Sequence, residues 1–144
     1  MIFKDGSCFW YKNDRIHRDG DQPAVVHATG MEEWYINGQR HRDGDKPAII
    51  FASGRQEWYK NDLCHRDGDH PAMTDTVGNQ EWYKNGQLHR DGDQPAVLYL
   101  SGRKDWYKFG MKHRDGGKPA VVKPDGECIW YEYGFLIRSD NVTI

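Results

Sequence analysis

Five times, at intervals of 24 residues, the chain sets down the same cluster of titratable side chains. It reads His17-Arg18-Asp19-Gly20-Asp21 at first and returns from His41, His65, His89 and His113. Residues of these types hold metals, grip phosphates or move protons, so each chemistry is weighed against what it needs. The triplet His-Arg-Asp opens the catalytic loop of protein kinases, where an asparagine five residues after the aspartate holds magnesium. Here that place belongs to Ala24, Ala48, Ala72, Ala96 or Ala120, and no glycine-rich loop accompanies it. Zinc shared between histidines needs ring nitrogens about 2 Å from the ion, whereas equivalent atoms in successive β units lie about 10 Å apart. Calcium takes six to eight oxygens; Asp19-Gly20-Asp21 offers two carboxylates and Asp115-Gly116-Gly117 one. Turn capping by aspartate and Arg–Asp pairing between units is the expected role, a ladder that fixes register. Neither metal nor cofactor is expected. Active sites are singular, whereas every His–Asp combination here recurs five times, so no enzymatic activity is expected either.

A second beat positions the first. Trp10, Trp34, Trp58, Trp82, Trp106 and Trp130 keep the same interval, and each is followed by tyrosine. A fixed period decides the architecture before any local argument: six 24-residue units, with 1–144 a single repeat domain. In the second unit, Pro23–Ala28 is rich in β-branched residues and ends at Thr29-Gly30. A second run, Glu32–Ile36, ends at Asn37-Gly38, a pair suited to a two-residue hairpin turn because both positions need positive φ. No stretch has helical periodicity. The pattern predicts an all-β chain, an elongated, twisted antiparallel sheet of tandem β-hairpin repeats. Each unit advances it about 10 Å, giving a length of about 55–60 Å. A three-residue glycine turn would set Ala24 opposite Trp34, leaving room for the indole; a two-residue turn would set Val25 there. The first register is preferred.

Adjacent Trp and Tyr point to opposite faces of a strand, so each face carries a row of rings. Periodic aromatics in a repeat protein form its core, the role expected of all six tryptophans. The second row, left open, is an interaction surface. Its candidate contacts are Tyr35, Tyr59, Tyr83 and Tyr107, with Arg42, Arg66 and Arg90 from the charged loops. The fourth unit is the least regular: Met73-Thr74-Asp75-Thr76-Val77 replaces the apolar run Ala48-Ile49-Ile50-Phe51, which adds His70 and Asp75 as candidates. A protein partner is expected, with self-association into a homodimer through one aromatic face. The alternative is a small ligand or nucleotide stacked in Trp/Arg-lined gaps between units.

Composition narrows the partner further. Lys+Arg 20 against Asp+Glu 22 leaves a net charge of −2, with no basic excess for duplex nucleic acid. Aromatic content of 13%, regularly placed, argues against disorder despite the many charges. Cys8, Cys64 and Cys128 lack metal spacing and read as reduced thiols of a cytoplasmic protein. Met1–Asp5 lacks the apolar core of a signal peptide, and the longest apolar run, 96–100, is too short to cross a membrane.

Trp34-Tyr35-Ile36-Asn37-Gly38, Trp82-Tyr83-Lys84-Asn85-Gly86 and, less closely, Trp58-Tyr59-Lys60-Asn61-Asp62 resemble MORN repeats, and more closely their variant form. The likeness runs along the whole chain. It implies hairpins laid side by side in a scaffold or contact surface, sometimes dimeric, sometimes linked to membranes, and in some variants an antitoxin or immunity partner. The His-Arg-Asp-Gly-Asp-x-Pro-Ala segment departs from the family pattern, so the strand is expected to break or bulge at residues 19–22. Units with that segment resemble those of large DNA viruses and phages, which implies a viral or phage inhibitor or adaptor acting on a host protein.

Overall fold

A computed structural model describes residues 1–140. These residues contain strands and turns and no helix. Both predicted turns form. His27 N–H donates to Met31 O and Gly30 N–H to His27 O, each at 2.8 Å, enclosing the three residues Ala28, Thr29 and Gly30. Val25 therefore faces Glu33 and Val26 faces Glu32, the preferred register. At the other end of the unit, Asn37 and Gly38 take φ of 52° and 86°, and Tyr35 faces Arg40 across a two-residue turn.

The run from Glu32 to Ile36 serves two partners, and its tryptophan is the junction. Glu32–Glu33 pairs with Ile49–Ile50, while Tyr35–Ile36 pairs with Gln39–Arg40. Between them, Trp34 N–H donates to Ala48 O at 2.8 Å and Trp34 O accepts from His41 N–H at 3.1 Å. The strand from Arg40 back to Ala48 has seven residues to spare, and they leave the sheet as the charged loop. The expected interruption at 19–22 is thus present and longer, and it divides the sheet. The described residues form the predicted long antiparallel sheet, 12-stranded and in sequential order, with five two-stranded ribbons beside it. Successive ribbons are tied tip to flank: Gly38 N–H donates to Ile16 O, Gly86 to Cys64 O, and Gly134 to Lys112 O, at 2.8–2.9 Å.

The last unit drops the loop. Cys128–Glu132 pairs directly with Phe135–Asp140, with a bulge between Trp130 and Tyr131. Ile137-Arg138 stands there where His113-Arg114 stood one unit earlier.

The core is narrow and repetitive. Ala24, Ala48, Ala72, Ala96 and Ala120 have no exposed surface, and Trp34, Trp58, Trp82 and Trp106 are buried beside them. In the middle of the array Trp58, Cys64 and Ala72 form one cluster, with Tyr59, Met73 and Tyr83 packed against it. Burying an aromatic side chain contributes about 1.5–3 kcal/mol, so the tryptophans dominate the apolar contribution of each unit. No helix among the described residues is long and apolar enough to cross a membrane.

Candidate interaction surface

The charged loops form a ladder along one side of the sheet. Each of the five repeated histidines that open the loops has both ring nitrogens engaged. His17 Nε2 lies 2.8 Å from Asp19 Oδ1, and its Nδ1 is 2.9 Å from the backbone N of Asn37 in the next unit. A backbone N–H can only donate, so Nδ1 is the acceptor and the proton sits on Nε2, donated to the aspartate. The pattern repeats at His41, His65, His89 and His113.

The arginine that follows also does two things. The Arg42 guanidinium carbon lies 3.7 Å above the Trp34 ring, and equivalent stacks run from Arg18 over Trp10 to Arg138 over Trp130. Arg42 Nε and Nη2 reach both oxygens of Asp21 in the preceding loop, while Nη1 donates to Pro47 O. Arg66–Asp45, Arg90–Asp69 and Arg114–Asp93 are the further rungs. Each rung is a two-pronged, charge-assisted contact seated on an indole.

The carboxyls answer to these partners. Arg42 and then Lys46 hold Asp21 well below the usual carboxylate range, and Arg114 and Lys118 do the same to Asp93. Arg66 lowers Asp45 and Arg90 lowers Asp69. The first aspartate of the loop is lowered by the histidine and lysine of its own unit, His17 and Lys12 at Asp19 and His65 and Lys60 at Asp67. The two loop carboxylates are therefore turned toward different cations and do not converge on one point.

The opposite face carries the tyrosines. Tyr35, Tyr59 and Tyr83 are half-buried and donate their hydroxyls to Glu33, Glu57 and Glu81 at 3.0–3.1 Å. Burial, then the neighbouring carboxylate, pushes the phenols of Tyr35 and Tyr59 up to about 12; Tyr107, next to Asp105, is raised likewise. Burial works against the Glu33 carboxylate, but hydrogen bonds from His27, Arg40 and Tyr35 outweigh it and lower its pKa. Asp105 is held by Arg103 and Lys112. Burial and the Glu57 and Glu81 charges push the Cys64 thiol up to about 12, far from a reactive thiolate.

The structure thus places the sequence candidates in internal ties. Arg42, Arg66 and Arg90 are rungs, and three of the four candidate tyrosines cap carboxylates. Asp75 organises its turn, its Oδ1 accepting from the N–H groups of Val77, Gly78 and Asn79. His70 stands exposed on its loop beside Gly68. Four clefts of about 410–520 Å³ open between consecutive loops, and one of about 350 Å³ between the last loop and the final hairpin; the one between the fourth and fifth loops is lined by Arg90, Asp93, Trp106, Lys108 and Arg114.

Reading by repeat position missed a second surface. At the last two hairpin tips, Phe109 and Tyr133 stand where earlier units have asparagine, with φ of 49° and 45°. Bulky residues rarely hold positive φ. Each ring stacks on the histidine of the preceding unit, Phe109 on His89 at 4.5 Å and Tyr133 on His113 at 4.1 Å. Phe109 is nonetheless 54% exposed, Tyr133 46%, and Met111 beside them 40%. The signal was present in the sequence as an aromatic replacing asparagine in a turn.

No family model matches the chain. Two uncharacterized proteins of Acanthamoeba polyphaga mimivirus are similar to it. One is 67% identical over 24 residues, 17% of this chain and 4% of that protein; the other is 64% identical over 22 residues, 15% of this chain and 6% of that protein. Each match is about one unit long, and the chain spans only a small part of either relative. The similarity is to a β-hairpin repeat unit found in viral proteins.

Proposed function

We propose that the chain is a non-enzymatic repeat scaffold that binds another protein, through the aromatic hairpin tips Phe109, Met111 and Tyr133. One observation carries the reading. The repeated histidines and arginines of the five loops are tied within the molecule, while the rings of Phe109 and Tyr133 are held exposed, in a costly backbone conformation, at one end of the ribbon row. Backbone strain of this kind costs about 1–3 kcal/mol per residue and persists where a site uses it. Aromatic anchors on a rigid support are what protein interfaces favour. The one-unit similarity to mimivirus proteins and the likeness to variant MORN repeats support a viral or phage setting, an inhibitor or adaptor acting on a host protein in the cytoplasm.

The double substitution Phe109→Asn, Tyr133→Asn tests this by restoring the turn residue of the other units. Relief of strain and loss of the His stacking, about 0.5–1.5 kcal/mol per pair, oppose each other, so the urea midpoint is expected to stay close to that of the parent. Affinity capture of host proteins, read by mass spectrometry, is expected to lose the partner that the parent retains. An identical set of captured proteins for parent and variant would refute the reading.

The inter-loop clefts favour a second reading, a nucleotide or other small anion held between units. It predicts quenching of tryptophan fluorescence and raised melting temperatures with nucleotides. The rungs weigh against it, since each arginine plane already covers an indole and meets a carboxylate.

A further inference from the structure

On the tyrosine face, the residue before the tryptophan is an acid in four consecutive units: Glu33, Glu57, Glu81 and Asp105. Three of the four are closed by a guanidinium of their own unit. Arg40 Nε reaches Glu33 at 3.0 Å, Arg55 Nη2 reaches Glu57 at 2.8 Å, and Arg103 meets both oxygens of Asp105. Glu81 is the exception. Tyr83 donates to its Oε2 at 3.0 Å, as Tyr59 does to Glu57, but among the described residues no cation pairs with it. The two positions that supply arginine elsewhere hold Leu88 and Asn79. Asn79 is spent on its turn: its Nδ2 donates to Asp75, and its Oδ1 accepts from Leu100 N–H. The neighbouring guanidiniums, Arg55 and Arg103, are committed to their own acids. The glycine turns beside Glu81 depart from the pattern as well. Val77 stands where other units have Thr29, Ser53 and Ser101, and Leu100 where they have Ala28 and Ala52. Val77 is 58% exposed, Leu100 70% and Tyr99 36%. Leu100 lies along the Val77-Gly78 turn, its Cδ1 3.5 Å from where a Gly78 Cβ would be. Glu81 faces Val97 across the sheet, so Tyr99, two residues on, shares its face.

We propose that Glu81 is the socket for an arginine of a protein partner, carried on an extended segment with apolar residues at the alternate positions. Charge chooses the occupant. A partly buried carboxylate is favourable when a cation meets it and costly when none does, and arginine is what the fold itself sets against the three sister acids. The aliphatic stem of an arginine covers apolar surface while its head stays polar, and Tyr99, Leu100 and Val77 supply that surface. A divalent metal fits less well. Calcium and magnesium take about six or more oxygens, and the nearby Asp75 is turned inward by the N–H groups of Val77, Gly78 and Asn79. Arginine and apolar anchors at the centre of a contact are also what protein interfaces favour. The site lies at the glycine-turn end of the units, away from the hairpin tips, and stands apart from the reading given to those tips.

Titration of the full chain with the peptide acetyl-Leu-Ser-Arg-Ser-Leu-amide, read by backbone amide shifts in NMR spectra, tests it. In an extended peptide both leucines share a face with the arginine. Saturable shifts are expected at Glu81, Tyr99 and Leu100. Glu81→Gln, which keeps an acceptor for the Tyr83 hydroxyl, should weaken binding at least about tenfold. Citrulline in place of the arginine keeps the shape, loses the charge and should do the same. Leu88→Arg should weaken binding from the opposite direction, by placing an internal guanidinium where Arg40 stands against Glu33. One variant removes the anion and the other satisfies it, and unchanged amide shifts in the outer units report that each is folded. A parent with no saturable shifts would overturn the proposal. So would equal binding by Glu81→Gln or by the citrulline peptide. Spermidine shifting the same amides as tightly would also overturn it, since that marks a site for a free polyamine.

Discussion

At the scale of single residues, the fold depends on side chains that each satisfy two neighbours. Arginine stacks on its own unit's tryptophan and binds the previous loop's aspartate; histidine joins its own loop to the next hairpin tip. Isolated surface ion pairs contribute little, but these are planar, stacked and repeated. A carboxylate more acidic in the folded than in the unfolded chain contributes stability above its unfolded pKa, near about 3.9, and that stability is lost as pH falls through the folded value. Asp21 and Asp93 are the most strongly lowered. The prediction is a urea midpoint whose acid limb, below about pH 4–5, is shallower in the double variant Asp21→Asn, Asp93→Asn than in the parent, with lower stability at neutral pH. Added salt should narrow the difference between the two, because exposed charges are screened. Tryptophan fluorescence in urea from pH 3 to 7 reads this, and parallel pH profiles would show that these rungs do not contribute.

At the scale of elements, the two turns set the register. The glycine turn is crowded as well as twisted: Gly54 has φ of 91°, and a Cβ there would lie 2.9 Å from Thr76 Cγ2 in the next unit. Gly54→Ala is therefore expected to destabilise by about 1–3 kcal/mol. The same change in a Thr76→Ser background, which removes Cγ2, should cost less, leaving the backbone cost of about 1–2 kcal/mol. A double-mutant cycle by urea unfolding measures the coupling; none would mean that the methyl moves aside freely. Both turns were legible from the sequence because glycine and asparagine signal positive φ directly, and so was the break after His17, where strand residues give way to Asp-Gly-Asp. The double pairing of Glu32–Ile36 was not legible. Alternation tells which face a side chain takes but not which strand lies beside it, and both halves of that run alternate alike. The pairing of Arg42 with Asp21 was legible as the Arg–Asp ladder expected between units; the tie of Tyr35 was not, because an exposed-looking phenol does not reveal in sequence that the glutamate two residues before it accepts its hydroxyl.

At the scale of the whole molecule, each unit touches only its neighbours, so stability should approximate a sum over units and the interfaces between them. Contacts between units recur at fixed offsets: Arg42 to Asp21, Arg66 to Asp45, Asn37 N–H to His17, Asn61 N–H to His41. Deleting residues 59–82 removes one period and joins Trp58 to Tyr83, so Arg90 would meet Asp45 and His41 would accept from Asn85 N–H with every offset preserved. The shortened chain is expected to fold, keep cooperative unfolding, and show a lower urea midpoint with an m-value smaller by about one sixth, since m scales with the surface exposed on unfolding. Deleting residues 59–70 instead removes half a period. It joins Trp58 directly to Pro71, removes the Arg66 that stacks on Trp58 and the hairpin that separates Trp58 from Ala72, and is expected to leave the chain unable to bury its indoles. Circular dichroism and fluorescence-detected unfolding of the two deletions decide the matter. If both lengths fold equally well, the 24-residue period is not what holds successive units in register, and the ladder of arginine, aspartate and tryptophan is an accompaniment to the sheet, not its organiser.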